Sequence, residues 1–525
     1  MSPEKRIYQQ PVRLLIESLT NSAKIYPQKT ALIIEGISFT YGDLFSATAN
    51  LAHHLKQKGV SSGDRVAIYM DNTWPCVVSI YATLLAGGVF IIINPQTKAD
   101  KLKFILEDSE ASLLITDIHL SNNFIDITGN PSNLKGIICS NYSSGSIENE
   151  PAGFIEPFEN IIKNSAPAPP VANSISLDLA ALIYTSGSTG NPKGVMMTHQ
   201  SIVFAAQSLI EYLRLSPEHC IINMLPLAFD YGLYQLLMTI FLGATLVLER
   251  SFTYPAQILN RIKQFDVTVF PGVPTIYATL AGMHNRNPLC FPSVTRITNT
   301  AAALPSDYQP ILRQIFPNAL IYRMYGLTEC KRVCYLDPEL ADTKPTSVGK
   351  AIPGTQAFIL SPKGKPVPPG TPGILYVRGP HVMKGYWKQP ELSAHMLKPG
   401  PLPGEYMLCT HDWFKIDADG DLYFLGRSDD IIKTRGEKVS PVEVENVLYG
   451  ISGIKEAAVI GVPDQLLGQA IKAFVVLEKH AVLSEKEILK VCSLKLENFM
   501  VPKVVEFRDA LSKTTTGKIS KNDLL

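Results

Sequence analysis

Short apolar, β-branched runs alternate with longer stretches of helical periodicity over most of the chain. Arg65-Val-Ala-Ile-Tyr69, Ser112-Leu-Leu-Ile-Thr116, Gly136-Ile-Ile-Cys139, Thr245-Leu-Val-Leu248, Val267-Thr-Val-Phe270 and Leu320-Ile-Tyr322 have the length and composition of buried strands. Strands spaced by helical patterns in this way predict βαβ units and mostly parallel sheets. The 18 uncharged residues from Cys76 to Ile93 are just long enough to raise a membrane-spanning reading. Gly87-Gly88 divides them into a helix-like half and a strand-like half closed by Asn94-Pro95, which favours a buried helix feeding a core strand.

The texture changes twice toward the C-terminus. After about Gly349 the pattern becomes short strands punctuated by Gly and Pro, as expected of a small β-rich subdomain. Beyond Asp430, Val442 to Leu448 and Glu485 to Leu496 read as helices, and Ala457 to Gly461 and Ala473 to Leu477 as strands. Roughly 95 residues of α+β are enough for a separate small domain. A Pro/Ser/Asn-rich stretch from Asn164 to Leu177 reads as a surface crossover. The expected fold is α/β: a large N-terminal domain of two mostly parallel α/β subdomains plus a small β-rich subdomain, then a small α+β C-terminal domain.

Composition narrows the function. The 525 residues carry 48 Lys+Arg against 47 Asp+Glu, a formal net charge of +1. This balance offers no basic surface for a nucleic-acid backbone, so nucleic acid is not an expected partner. The N-terminal MSPEKRIYQQ is charged and opens no apolar signal region, and the expected compartment is the cytoplasm with no membrane partner. The eight cysteines show neither a disulfide framework nor metal-ligand spacing and read as reduced thiols.

The strongest local signal is Tyr184-Thr185-Ser186-Gly187-Ser188-Thr189-Gly190-Asn191-Pro192-Lys193-Gly194, placed directly after an apolar strand. Glycines and hydroxyl residues make a loop whose backbone N–H groups can converge on an anion, and Lys193 adds a point charge. It is not a Walker loop, because Lys193 precedes Gly194 rather than following a glycine and preceding a hydroxyl residue. A plain flexible turn is the alternative.

With that loop, the ordered motifs Tyr325-Gly326-Leu-Thr328-Glu329, Thr410-His-Asp412, Gly426-Arg427-Ser-Asp429, Lys433-Thr-Arg-Gly436 and Thr516-Gly-Lys518 resemble the adenylate-forming superfamily. That superfamily includes acyl-CoA synthetases, adenylation domains of non-ribosomal peptide synthetases and firefly-type luciferases. The resemblance implies ATP and Mg2+ as cofactors and a two-step reaction, adenylation of a carboxylate followed by transfer to a thiol. It implies a large domain at 1–427, a hinge at 428–430 centred on Asp429, and a mobile small domain at 431–525.

Site roles follow from the same resemblance. Lys518 would bridge the substrate carboxylate and AMP, where a solvated tail lysine is the alternative. Lys193, Thr185, Ser186, Gly187, Ser188, Thr189 and Gly190 would surround the phosphates. Glu329 would hold the metal, and Thr328 would bond the α-phosphate. Tyr325, Gly326, Ala301 and Ala302 would line the adenine, while a helix entry capped by Thr328 is the plain reading of this stretch. Asp412 would take the ribose hydroxyls beside Arg427, and Gly436 would face the thiol tunnel. Two departures stand out: His411 replaces the usual glycine before Asp412, and Thr300-Ala-Ala-Ala replaces a more glycine-rich adenine loop.

The acid is read from Phe229-Asp230-Tyr231-Gly-Leu-Tyr234. In amino-acid-activating members an Asp here pairs with the substrate ammonium, so Asp230 favours an amino acid; an N-cap of the helix Tyr231 to Phe241 is the competing role. By the same register the pocket includes Tyr231, Tyr234, Pro271, Thr298, Thr300, Met324, Arg332 and Val333. The stretch Glu329-Cys-Lys-Arg-Val-Cys-Tyr335 resembles stand-alone enzymes that load L-proline onto a carrier protein, as in the anatoxin and pyrrole pathways. Lys331 and Arg332 could instead serve an acidic substrate or face solvent. The thiol partner is then a phosphopantetheinylated carrier protein, or coenzyme A. An acyl-CoA synthetase for a small carboxylic acid and a non-catalytic nucleotide-binding regulator are the alternatives.

Overall fold

Parallel pairing buries both faces of a strand, and the short runs with few charged residues end up in such sheets. The computed structural model describes residues 11–125, 134–143, 153–164, 170, 173–185, 192–300, 304, 308–427, 430–434, 437–464, 467–496, 498–514 and 519–524. Two compact units account for the chain: Met1–Pro271 with Leu327–Arg332 and Gly379–His395, and Gly272–Gly326 with Val333–Arg378 and Met396–Leu525.

The first unit holds a seven-stranded sheet in the order Ile155–Pro157, Ile137–Ser140, Leu113–Asp117, Arg65–Tyr69, Val89–Ile93, Leu179–Thr185, Lys193–Thr198. Every pair is parallel except the last, where Leu179–Thr185 and Lys193–Thr198 form an antiparallel hairpin. The uncharged stretch from Cys76 lies in helix Trp74–Leu85 and the fully buried strand Val89–Ile93, divided at the two glycines. Among the described residues no helix is long and apolar enough to cross a membrane. A second set of parallel strands pairs Cys220–Asn223 with Thr245–Leu248, and Thr245–Leu248 with Thr30–Ile34.

In the second unit Arg296–Asn299 runs parallel to Leu320–Tyr325, which pairs antiparallel with Cys334–Leu336. The Gly/Pro-punctuated segment forms an antiparallel sheet built on Gln356–Leu360, Gly373–Arg378, Tyr406–Ile416 and Leu422–Arg427. Near the C-terminus, strands Ile454–Asp464 and Gly468–Leu477 pack with helices Pro441–Tyr449 and Glu485–Lys495 around their own apolar core, including Val444, Leu448, Val459, Val475 and Ile488. Ser440 and Ser484 cap those helices by accepting from Glu443 N and Glu487 N. The whole is a mixed α/β fold with parallel sheets, a large N-terminal domain and a small C-terminal domain. All eight cysteines are free thiols, six of them buried.

Candidate active site

The hairpin that carries the Gly/Ser-rich loop sets the site in the first unit. Thr185 and Lys193 are register partners where its two strands face each other last before the intervening segment. Thr185 Oγ1 is buried there with no hydrogen-bond partner among the described residues. Lys193 Nζ donates to Tyr386 Oη at 3.1 Å, and Tyr386 donates to Glu329 Oε1 at 2.6 Å. Lys193 Nζ and that same carboxylate oxygen are 4.0 Å apart. Burial, and after it the charge of Glu329, raises the Tyr386 phenol, which therefore stays a proton donor. A carboxylate has two oxygens and about four acceptor sites, so Glu329 keeps hard-donor capacity for a Mg2+ beyond its bond to Tyr386.

No helix follows Glu329. Thr328 lies in a turn, which leaves it no helix to cap.

The acid-pocket residues of this unit also assemble. Helix Asp230–Leu242 begins one residue earlier than expected; Phe229 is its N-cap and no side chain caps it. Asp230 is thus not the cap. Its carboxylate lies 3.4 Å from Lys331 Nζ, which also donates to the Asp230 carbonyl at 3.0 Å. Lys331 adopts a left-handed φ of 62° and sits over the rings of Tyr234 at 4.5 Å and Tyr231 at 5.5 Å. Arg332 stacks on Tyr231 at 5.7 Å. Lys331 and Arg332 are 2% and 1% exposed, so neither faces solvent. Burial lowers the Lys331 ammonium to about 7, with Asp230 holding it up and Arg332 pushing it down. Pro271 lies in strand Val269–Gly272 and belongs to the same unit.

The remaining residues belong to the second unit. Thr298, Thr300, Met324 and Val333 are all buried, and Thr298 O accepts from Tyr277 Oη at 2.8 Å. Tyr325 ends its strand with Gly326 following. Its ring meets Phe414 at 4.8 Å and Phe424 at 5.7 Å, and its hydroxyl donates to Asp412. Asp412 is register partner to Arg427 on neighbouring strands, with Arg427 exposed. His411 has φ 57°, a left-handed conformation that favours glycine.

Ser186, Gly187, Ser188, Thr189, Gly190, Ala301, Ala302, Asp429, Gly436 and Lys518 lie outside the described residues. The flanks of the last are ordered. Lys513 pairs with Ile519 in a β-bridge, Ser520 N donates to Ser512 O at 2.8 Å, and Lys513 and Lys521 form ion pairs with Glu456 and Glu445.

Sequence reasoning missed Tyr386 and the pairing of Lys331 with Asp230. Tyr386 lies 57 positions from Glu329 and 193 from Lys193, separations that carry no local pattern. The signal at hand was the unassigned Lys384-Gly-Tyr-Trp-Lys388 cluster.

Comparisons with known proteins agree with this layout. Residues 19–387 match the AMP-binding enzyme family, and residues 443–518 match the AMP-binding enzyme C-terminal domain. A long-chain-fatty-acid–CoA ligase of Bacillus subtilis (strain 168) is 32% identical over 98% of this chain and 94% of its own. Surfactin synthase subunit 2 of the same organism is 30% identical over 95% of this chain, which spans 13% of that protein. The crystal structure of the anthranilate CoA ligase AuaEII with anthranoyl-AMP superposes with a TM-score of 0.88 at 28% identity, covering 98% of this chain and 97% of that one.

Proposed function

This chain belongs to the AMP-binding enzyme family and is an AMP-forming ligase that uses ATP with Mg2+, and on that premise we propose that its substrate is an amino acid. L-Proline is the best candidate, and the acceptor is the phosphopantetheine thiol of a separate carrier protein. The observation that carries this reading is the placement of Asp230. Its carboxylate is relieved of helix capping and set at the first turn of a buried helix, 3.4 Å from Lys331 Nζ, whose ammonium lies over the Tyr231 and Tyr234 rings. An acceptor-only group there suits a substrate ammonium.

In the first step a carboxylate oxygen of the acid attacks the α-phosphorus of ATP; an O–P bond forms and the bond to the β-phosphate breaks, releasing pyrophosphate. In the second the thiol sulfur attacks the acyl carbon and AMP leaves. Both reactants of the first step are anions, so positioning and charge neutralisation carry the catalysis. Lys193, with Thr185 and the loop through Gly190, holds the phosphates, and Thr328 bonds the α-phosphate. Glu329 holds the Mg2+, which when bound offsets triphosphate charge. Tyr325, Gly326, Ala301 and Ala302 line the nucleotide base, and Asp412 with Arg427 holds the ribose. Lys518 reaches both reacting groups. Asp429 is the hinge and Gly436 the thiol passage of a domain rotation between the steps.

ATP–pyrophosphate exchange across amino, fatty and aryl acids tests the substrate class. Exchange with L-proline or another amino acid is expected, and Asp230→Ala lowers it at least about thirtyfold, as when one partner of a buried charge pair is removed. Exchange only with acids lacking an amino group would reject the reading.

A specific observation favours a second reading, a coenzyme A ligase for a small carboxylic acid: Lys331 already compensates the Asp230 charge. The similarity to a fatty-acid–CoA ligase supports it as well. Thioester formation with coenzyme A but not with a holo carrier protein would select it.

A further inference from the structure

In the first unit Lys193 and Glu329 are joined through the phenol of Tyr386. Tyr386 accepts from Lys193 and donates to Glu329, both roles a single hydroxyl can fill at once. A direct ammonium–carboxylate bond would close to about 2.8 Å, yet Lys193 and Glu329 stand 4.0 Å apart. With side chains 21% and 10% exposed, the two charges attract strongly in a poorly solvated setting. The Tyr386 ring also lies 4.4 Å beneath the Lys193 ammonium.

The backbone fixes this arrangement. Segment Gly379–His395 is laced along strand Lys193–Thr198: Met196 N donates to Gly385 O, Lys384 N to Met196 O and Trp387 N to Gly194 O, at 2.8 to 2.9 Å. Val195 and Tyr386 form a β-bridge, and Tyr386 N donates to Ser393 Oγ at 2.8 Å. Met383 N donates to Glu329 O at 2.7 Å, and Trp387 Nε1 to Asp108 O at 3.0 Å. Lys193, Tyr386 and Glu329 thus ride on one hydrogen-bonded frame.

We propose that Tyr386 is a positioning residue for the metal–triphosphate: its hydroxyl keeps Lys193 and Glu329 from collapsing into a contact ion pair and presents each to its own ligand. A phenylalanine would fill the same volume and keep the ring under Lys193, so packing alone does not call for the hydroxyl. Without the bridge the two charges close on each other, and that pair must break before phosphate and metal can bind. This rests on the reading of Lys193 and Glu329 as triphosphate and metal groups.

The test is equilibrium binding by calorimetry of two probes, the magnesium complex of α,β-methylene-ATP and metal-free AMP, to the full chain. Tyr386→Phe is expected to weaken the magnesium complex about tenfold, the size of losing a hydrogen bond to a charged group, while AMP affinity stays within about twofold. Glu329→Gln should weaken the magnesium complex at least as much. In the Lys193→Met background the Tyr386→Phe effect should shrink, because there is no contact pair left to prevent. Wild-type affinity of Tyr386→Phe for the magnesium complex, with Glu329→Gln impaired, overturns the proposal; wild-type affinity of both overturns the underlying reading of Glu329. Should Tyr386→Phe bind neither probe, 3-fluorotyrosine at position 386, with the same shape and a weaker acceptor, takes its place, and unchanged affinity for the magnesium complex then overturns the proposal.

Discussion

Asp412 is 8% exposed and accepts the Tyr325 hydroxyl, while the Tyr325 ring is held by Phe414 and Phe424. That ring is thus fixed by protein aromatics, and the hydroxyl is the part of Tyr325 that acts on the proposed ribose carboxylate. Tyr325→Phe keeps the ring cluster and removes the donor. AMP binding should weaken by up to about tenfold, the effect of one hydrogen bond of about 1 kcal/mol or slightly more. Unchanged AMP affinity in a direct titration would show that the ring alone matters. His411 immediately before Asp412 is a further residue-scale feature. A left-handed backbone costs a non-glycine residue about 1 kcal/mol, and His is among the types that tolerate it better than most.

At the scale of elements, the helix Asp230–Leu242 depends on Gly232. A Cβ there would lie 2.3 Å from Pro226 O and 2.6 Å from Leu225 O, both backbone atoms that cannot swing away. The close approach lets segment 225–229 fold back against the first helical turn, where Phe229 N donates to Pro226 O at 2.9 Å and Asn223 reaches Gly232 O. Gly232→Ala forces that turn apart and should destabilise by about 1–3 kcal/mol, the usual cost of overpacking. Because Asp230 sits in the same turn, the KM for the acid should rise more than the KM for ATP. A variant with native thermal midpoint and native KM for the acid would contradict this account.

Whole-molecule stability carries a pH signature. His199 accepts from Leu15 N at its Nδ1, 3.1 Å away, and His381 is fully buried beside Phe204. Burial lowers each from 6.5 to about 4, against smaller opposing pulls. Between those values the unfolded chain binds more protons than the folded one, so stability is fully present above about pH 6.5 and is lost as pH falls toward 4. At about 1.4 kcal/mol per pKa unit the loss reaches about 3 kcal/mol for each histidine. Thermal midpoints measured from pH 7.5 to 4.5 should fall most steeply across that window. His199→Asn, which keeps an acceptor for Leu15 N and cannot titrate, should flatten the fall; an equally steep curve for that variant would assign the loss to other groups.

The elements were legible because their causes are local. Thr245–Leu248 and Arg65–Tyr69 were read to the residue from apolar runs, and helix Pro441–Tyr449 and the split of the Cys76–Ile93 stretch followed from periodicity and paired glycines. That the Gly/Ser-rich loop, Asp230 and Glu329 are candidates for chemistry was likewise read from their neighbours in the chain. Other features needed the fold. Phe229 took the cap position from Asp230, because the chain entering that helix is fixed by contacts of segment 225–229. Lys331 and Arg332 could be solvated or buried on sequence alone; packing against Tyr231 and Tyr234 decided for burial. Tyr386 joined Lys193 and Glu329 only through backbone pairing of segments nearly two hundred residues apart. Periodicity, turn chemistry and motif spacing are written along the chain, so the sequence determined the elements, the α/β class and the family's reaction. Which charge faces which depends on through-space distances of a few ångströms, and those exist only once the sheets have formed.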